Sequence, residues 1–484
     1  YDGSSRFSPD SRWGLFPSFS AGWRISEEEF MKDIDWLSNL KLRASWGKLG
    51  NNSIGNYEWQ ALYGSGYNYA FNSNKSNGLA MTTFSNYALE WEETAITNIG
   101  LDFGVLNNRL NGTIEVYDKK TDGILYRPTL PESLNQFTSP LQNLAGVNNK
   151  GLEITLGWND RVGDISYSVS GNFTYNKNKV TKYKGELVRE WRTDANGKKV
   201  WYQNVGTVAN GSSNLIVEGH EMNEYYMMNP YKGNGSYFNS DGTVNINGGP
   251  KDGMIRTEAD MKWLQAMFDA GYKFYPNQAI GKDKIWYGDM IYADYNGDGI
   301  YGNDDDRDFQ GVSWRPKYYF GLQASMTWKG FDLSMNWAGA AGFKIDYYKQ
   351  TQNSVSVTHG YGLGYDIAYD HYFFDPENPN DPRTNIYSET PRLVGYQNSG
   401  QASATSSWHL KNGNYIKLKN LTIGYTFPKE WMKVAFIQNA RVYLSGENLL
   451  TFDHLKIADP EATDDKQFQY PLQMIFNIGL NLNF

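Results

Sequence analysis

The chain has 484 residues, of which only 40% are hydrophobic, and its mean hydropathy is −0.62. That is too little apolar material for several ordinary buried cores. Aromatics reach 16%, with 36 Tyr, 24 Phe and 16 Trp beside 49 Gly, which suits sheets with one apolar and one wet face. The net charge of −8 leaves no basic footprint for nucleic acid, and the lack of cysteine excludes a disulfide framework and thiol chemistry.

Taken in order, about eleven strands are expected, near 14–26, 38–50, 91–106, 111–126, 148–159, 164–182, 315–328, 331–349, 415–427, 440–452 and 471–484. Tyr1 opens on a polar turn with no signal peptide, so a removed leader or a start within a longer protein is expected. Pro17 is a blemish inside the first strand, since it cannot donate to a ladder. After it, Ser26-Glu27-Glu28-Glu29 reads as a capping box opening a short helix through Trp36.

Period two is clearest at 164–176. There Ile165, Tyr167, Val169, Phe173 and Tyr175 alternate with Ser166, Ser168, Ser170, Asn172 and Thr174. Leu152 to Trp158, Tyr318 to Trp328 and Leu472 to Phe484 alternate in the same way. Each such strand has one apolar face. Trp23, Trp46, Trp158, Trp328 and Trp337 read as a membrane-interface belt. No stretch approaches the ~18 consecutive apolar residues of a membrane-spanning helix, so a membrane location has to be reached with strands.

Tight turns at 107–109, 160–163 and 329–330 alternate with long connections at roughly 51–90, 184–314 and 350–414. A sandwich has no reason to gather its long loops at one end, and structureless loops beyond ~15 residues are uncommon. An outer-membrane barrel does both, with short periplasmic turns and long extracellular loops. With the C-terminus periplasmic, the short turns all fall on the periplasmic side. An odd number of antiparallel strands cannot close, because the first and last would meet parallel, so a complement with an odd strand count is expected. A second capping box at 257–260 precedes Met261, Leu264 and Phe268 within the longest loop.

Seven segments carry a resemblance. They are FPSFSAGWR at 16–24, LKLRASWG at 40–47, YDKKT at 117–121, GDMIYADYNGDG at 288–299, PENPN at 376–380, IKLKNLTIGY at 416–425 and VYLSGENL at 442–449. Together they resemble, from end to end, the C-terminal barrel of the SusC-like TonB-dependent transporters of Bacteroidetes. The resemblance implies an all-β fold, with residues 1–484 forming the C-terminal half of a 22-stranded transmembrane barrel. The plug, the TonB-contacting box and the other strands lie outside this sequence. It further implies partners: the N-terminal half, a SusD-like surface lipoprotein, the TonB-ExbB-ExbD system reached through that half, and outer-membrane lipids.

Asp294, Asn296, Asp298, the Ile300 carbonyl and Asp305 have the spacing of an EF-hand-like loop over 294–305. A glycine turn lets hard oxygens converge on Ca²⁺, and the expected role is structural. Gly302 stands at the ninth position and Asp rather than Glu at the twelfth, so Asp304 or Asp306 could substitute; the alternative is a metal-free Asx-turn loop. Five histidines, His220, His359, His371, His409 and His454, read as solvated loop residues, and no catalytic motif is present. Glu92-Glu93 reads as facing a wet lumen. Aromatic clusters at 225–228, 286–287, 347–348 and 372–374 are candidates to stack on sugar rings or grip peptide side chains. The expectation is therefore import of bulky oligosaccharides or oligopeptides, not an enzyme. The alternatives are a passive porin-like channel and a barrel-anchored surface binding protein.

Overall fold

The computed structural model describes residues 1–128, 133, 137–346, 365–394, 401, 404–432, 437–455, 459–461 and 472–484. One antiparallel sheet of eleven strands dominates. Its strands are β1 (Ser18–Arg24), β2 (Leu37–Asn51), β3 (Glu92–Val105), β4 (Leu110–Tyr126), β5 (Gln142–Val162), β6 (Ile165–Lys182), β7 (Tyr318–Trp328), β8 (Phe331–Ala341), β9 (Tyr415–Thr426), β10 (Asn439–Asp453) and β11 (Ile475–Asn483). Each pairs with its neighbours in sequence, so the sheet is a simple meander. Among the described residues β1 and β11 do not pair with each other, which makes the sheet a half barrel with two edges.

Register explains the faces. One row runs through Ile165, Trp328, Phe331, Tyr425, Val442 and Leu480, and the next through Tyr167, Met326, Leu333, Ile423, Leu444 and Ile478. Between them on the opposite face lies Ser166, Thr327, Asp332, Gly424, Tyr443 and Gly479, then Ser168, Ser325, Ser334, Thr422, Ser445 and Asn477. The apolar face is not covered by protein: Ile478 is 83% exposed and Phe476 67%. Rows of large apolar side chains without cover suit hydrocarbon. From Trp328 to Tyr318 the band spans on the order of 25 Å at the tilt usual for such barrels, close to a bilayer core.

Local chemistry sets the links. Lys329 (φ 45°) and Gly330 (φ 90°) form a two-residue hairpin turn with both φ values positive, where glycine carries no steric cost. Pro17 lies just outside β1, and its carbonyl accepts the Lys48 N–H at 2.9 Å, so the ladder loses no donor. The expected helix after Ser26 does not form. Two 3₁₀ turns, Ile25–Glu27 and Glu29–Met31, stand there, and Glu28 between them is extended. Its carboxylate accepts from Trp23 Nε1 at 2.8 Å, Arg24 pairs with Glu27 at 3.1 Å, and Ser26 Oγ caps nothing. The expected strand at 331–349 ends at Ala341. Lys344–Asp346 turns away to pair with Leu410–Asn412, and 347–349 lie outside the described residues, as does residue 471 of the expected last strand.

Short links join strands at one end of the sheet, while 183–317 and much of 342–414 build a folded body over the other. Its helix α1 (Glu258–Asp269) begins as the sequence implies: Thr257 Oγ1 accepts Asp260 N–H at 3.1 Å and Asp260 accepts Thr257 N–H at 2.8 Å. Trp263, Leu264 and Met267 on α1 pack with Tyr231, Ile255, Phe274, Ile285 and Ile291 into a closed core.

Two outcomes test this architecture. In the full-length protein, Val169→Arg should cost ~2–4 kcal/mol near the bilayer midplane while Ser168→Arg is tolerated; equal stabilities in denaturant titration of refolded protein would contradict the assignment of faces. Residues 1–484 expressed alone should yield no monomeric, heat-modifiable barrel, because in hydrocarbon each unpaired edge group costs several kcal/mol.

Candidate functional site

The acidic loop closes on its own backbone. Asp294 accepts the N–H groups of Gly297 (2.7 Å), Asp298 (3.2 Å) and Gly299 (2.9 Å). Asn296 accepts from Asp298 at 3.1 Å, and Asp298 accepts from Ile300 at 2.8 Å. Thus Asp294, Asn296, Asp298 and Ile300 share one turn, and the side-chain oxygens of the first three, with the Ile300 carbonyl, have the hard chemistry a divalent cation needs. Asp305 turns to Gln203 instead. The acid that reaches back is Asp306, which accepts from Tyr295 and Gly302 at 2.7 Å and from Asn303 at 3.1 Å. Among the described residues no three His, Asp or Glu side chains converge as a metal cage. Burial pushes the Asp306 carboxyl up to about 6, with the charge of Asp294 adding to it and the three N–H groups opposing it. A hairpin, Arg189–Thr193 with Lys199–Gln203, packs over this loop: Trp191 Nε1 donates to the Asn296 carbonyl at 2.8 Å, and Arg189 stacks on Tyr295 at 4.2 Å.

The aromatic clusters separate by burial. Glu224–Met228 is a buried central strand paired with Asn214–Leu215 and Arg307–Phe309, so Tyr225, Tyr226, Met227 and Met228 belong to the core of the folded body. Tyr287 and Tyr372 are likewise core residues. Trp286, Phe373 and Phe374 instead line an open cleft of about 900 Å³, beside Lys282, His371 and Arg383. Arg383 lies 4.5 Å over Phe373, and Arg392 grips Asp289 at 2.8 and 3.0 Å beneath it. Burial raises the Asp289 carboxyl despite Arg392. Tyr347-Tyr348 and His359 lie outside the described residues. Of the other histidines, His409 is buried, and the part-exposed His220 stacks on Phe309 at 3.6 Å and bonds Glu224 at 3.0 Å.

Several groupings left no mark in the sequence. Arg43 joins Asp102 (3.2 Å) and Glu115 (2.6 Å) on the polar wall, lying across Gly100, where a Cβ would sit 2.6 Å from its Cζ. Lys417, almost wholly buried, holds Asp459 (2.6 Å) and Glu461 (2.9 Å) of the last long connection. Glu218, Glu221 and Glu224 clamp the stems of the folded body, accepting from Tyr183, Ser313 and Gly311 at 2.6, 3.0 and 2.6 Å. Only the alternation that puts Lys417 and Arg43 on the wet face was readable; their partners come from distant segments. Of the pair Glu92-Glu93, Glu92 faces the polar side, whereas Glu93 lies on the apolar face's rim and pairs with Lys48 at 2.8 Å.

An open antiparallel sheet with a lipid-type face defines the class as half of a transmembrane β-barrel. Residues 1–205 match the family model described as TonB dependent receptor-like, beta-barrel. Over its whole length the chain is 28% identical to TonB-dependent receptor SusC of Bacteroides thetaiotaomicron and 27% identical to TonB-dependent receptor P3 of Formosa agariphila, spanning 41% and 43% of their lengths. In fold it is similar to the RagAB peptide importer in the closed-closed state, with a TM-score of 0.69 at 23% identity, covering 100% of this chain and 45% of that one. The chain is thus a relative of the SusC-like TonB-dependent receptors, as its motifs implied, and spans about two fifths of their length. A barrel family of this kind implies the outer membrane. The relatives are receptors by name, not enzymes.

Asp306 gives a pH test. Its carboxyl in the folded loop titrates above the ordinary value near ~4, so between about pH 4 and 6 the folded form holds more protons than the unfolded one. Stability from this group is therefore gained as pH falls from 7 through 6 and diminishes as pH rises. Hydrogen exchange at the Tyr295, Gly302 and Asn303 amides, corrected for intrinsic rates, should slow from pH 7 to 5, and Asp306→Asn should flatten that response. An unchanged slope in the variant would refute the assignment.

Proposed function

We propose that this chain is the C-terminal half of a TonB-dependent importer of bulky nutrients, oligosaccharides or oligopeptides, acting with a SusD-like surface lipoprotein. The observation that carries this reading is the combination of a half barrel, a polar inner wall and a large folded body over one end, in a chain related along its length to TonB-dependent receptors. The relative named SusC and the fold neighbour named as a peptide importer both favour uptake over anchoring. The N-terminal half supplies the plug and the contact with TonB-ExbB-ExbD. The segments at 184–314 and 350–414 lie outside the cell, and the C-terminus lies in the periplasm. The cleft at Trp286, Phe373 and Phe374 is the part of the body best suited to substrate, since these part-exposed aromatics line it.

The test is uptake by cells carrying the full-length transporter. Accumulation of labelled oligosaccharide or oligopeptide should require both TonB and the surface lipoprotein. Uptake that continues at the same rate without TonB would establish a passive channel, and binding without accumulation would establish a surface anchor.

For the acidic loop we propose a structural Ca²⁺ held by Asp294, Asn296, Asp298 and the Ile300 carbonyl, with Asp305 or Asp306 completing the set. Millimolar calcium should slow proteolysis at 294–306 in the full-length transporter, and Asp294→Ala should abolish that protection. Equal cleavage in calcium and in chelator would remove the metal from the account.

A further inference from the structure

We propose that the outward wall of β2–β6 binds the phosphate group of an anionic membrane lipid. The inference rests on the apolar face being the lipid face. Three successive rungs of that face carry it. The last greasy rung before the folded body is Ala44, Ile99, Val116, Leu152, Tyr175 and Tyr318. One rung nearer the body the same face holds Trp46, Thr97, Asp118, Lys150 and Lys177. The rung after that holds Lys48, Ala95, Lys120, Asn148 and Lys179. Cations thus begin directly where the apolar band stops, at the depth of lipid head groups.

Three acids on the same face, Glu93, Asp118 and Asp122, offset the five lysines only in part. Lys48 pairs with Glu93 at 2.8 Å, and Lys150 reaches Asp118 at 3.1 Å, where Asn148 steadies the carboxylate at 2.7 Å. Lys120, Lys177 and Lys179 are exposed and form no ion pair among the described residues. Lys150 and Lys177 are direct cross-strand partners, a like-charge pairing that Asp118 relieves on the Lys150 side and leaves unrelieved at Lys177. Strand spacing sets Lys177 and Lys179 about 7 Å apart and Lys120 about 10 Å from Lys179, within reach of one phosphate for flexible side chains. Basic clusters at a membrane surface attract anionic head groups. At the other end the same strands finish on Leu110, Trp158 and Val169, a rung without lysine, and Arg109 beyond it is paired with Asp160 at 3.3 Å. The apolar band below seats the acyl chains, which favours a lipid phosphate over a free one.

The purified full-length transporter in detergent is titrated with monophosphoryl lipid A, and adducts are read by native mass spectrometry. Wild type should retain the phosphorylated lipid and not its dephosphorylated form. The triple variant Lys120→Gln/Lys177→Gln/Lys179→Gln should lose about tenfold or more in apparent affinity, while the triple Lys→Arg variant keeps it and both migrate as heat-modifiable barrels. Equal retention by the Gln variant, or equal retention of the dephosphorylated lipid, would overturn the proposal. So would displacement by millimolar inorganic phosphate, which would mark a free-anion site. Loss of lipid with uptake intact separates this result from the transport reading.

Discussion

In hydrocarbon every backbone N–H and C=O has to find a partner within the protein, because no water is there to supply one. The sheet is built around that demand. Neighbours in sequence pair along their lengths, β5 with β6 from Val162 opposite Ile165 up to Gly146 opposite Lys182. Bulges are few, and Pro17, which could not donate, stays outside the ladder. The two edges, β1 and β11, are where the demand is unmet, so complementary strands are a physical requirement of the fold.

The two parts of the chain answer opposite solvents. In the sheet, large apolar side chains point away from protein, and polar ones line the inner wall. In the body over the long-connection end the order is that of a water-soluble domain, with Trp263 and Phe274 fully buried around α1. Carboxylates do unusual duty there. Asp294, Asp306 and Glu218 each accept several main-chain N–H groups, tying loops that lack a regular ladder. Charge-assisted bonds of this kind are stronger than neutral ones, which suits a body that must hold its shape on slender stems.

Across β6–β11 the inner wall is mostly hydroxyls and amides, with Arg441 paired to Asp332 at 2.5 Å, while the more charged wall of β2–β5 pairs Arg43 with Asp102.

Sequence alone determined the elements whose signal is local. Period two at 164–176 and 318–328 fixed strand, face and neighbour, and the Thr257 box fixed the start of α1. It failed where the same local signal was outbid by neighbours: Ser26 sits in a 3₁₀ turn because Glu28 is held by Trp23. The acidic loop was legible at Asp294, Asn296 and Asp298, which lie within one turn, and not at Asp305, whose carboxylate answers Gln203 from a distant hairpin. Tyr225 to Met228 looked like a binding cluster because a strand of aromatics reads the same whether it is covered or open. Burial belongs to the fold, not to the residue. So do the Lys417 cluster and the lysine rungs, since cross-strand register and long loop closures alone decide which side chains meet.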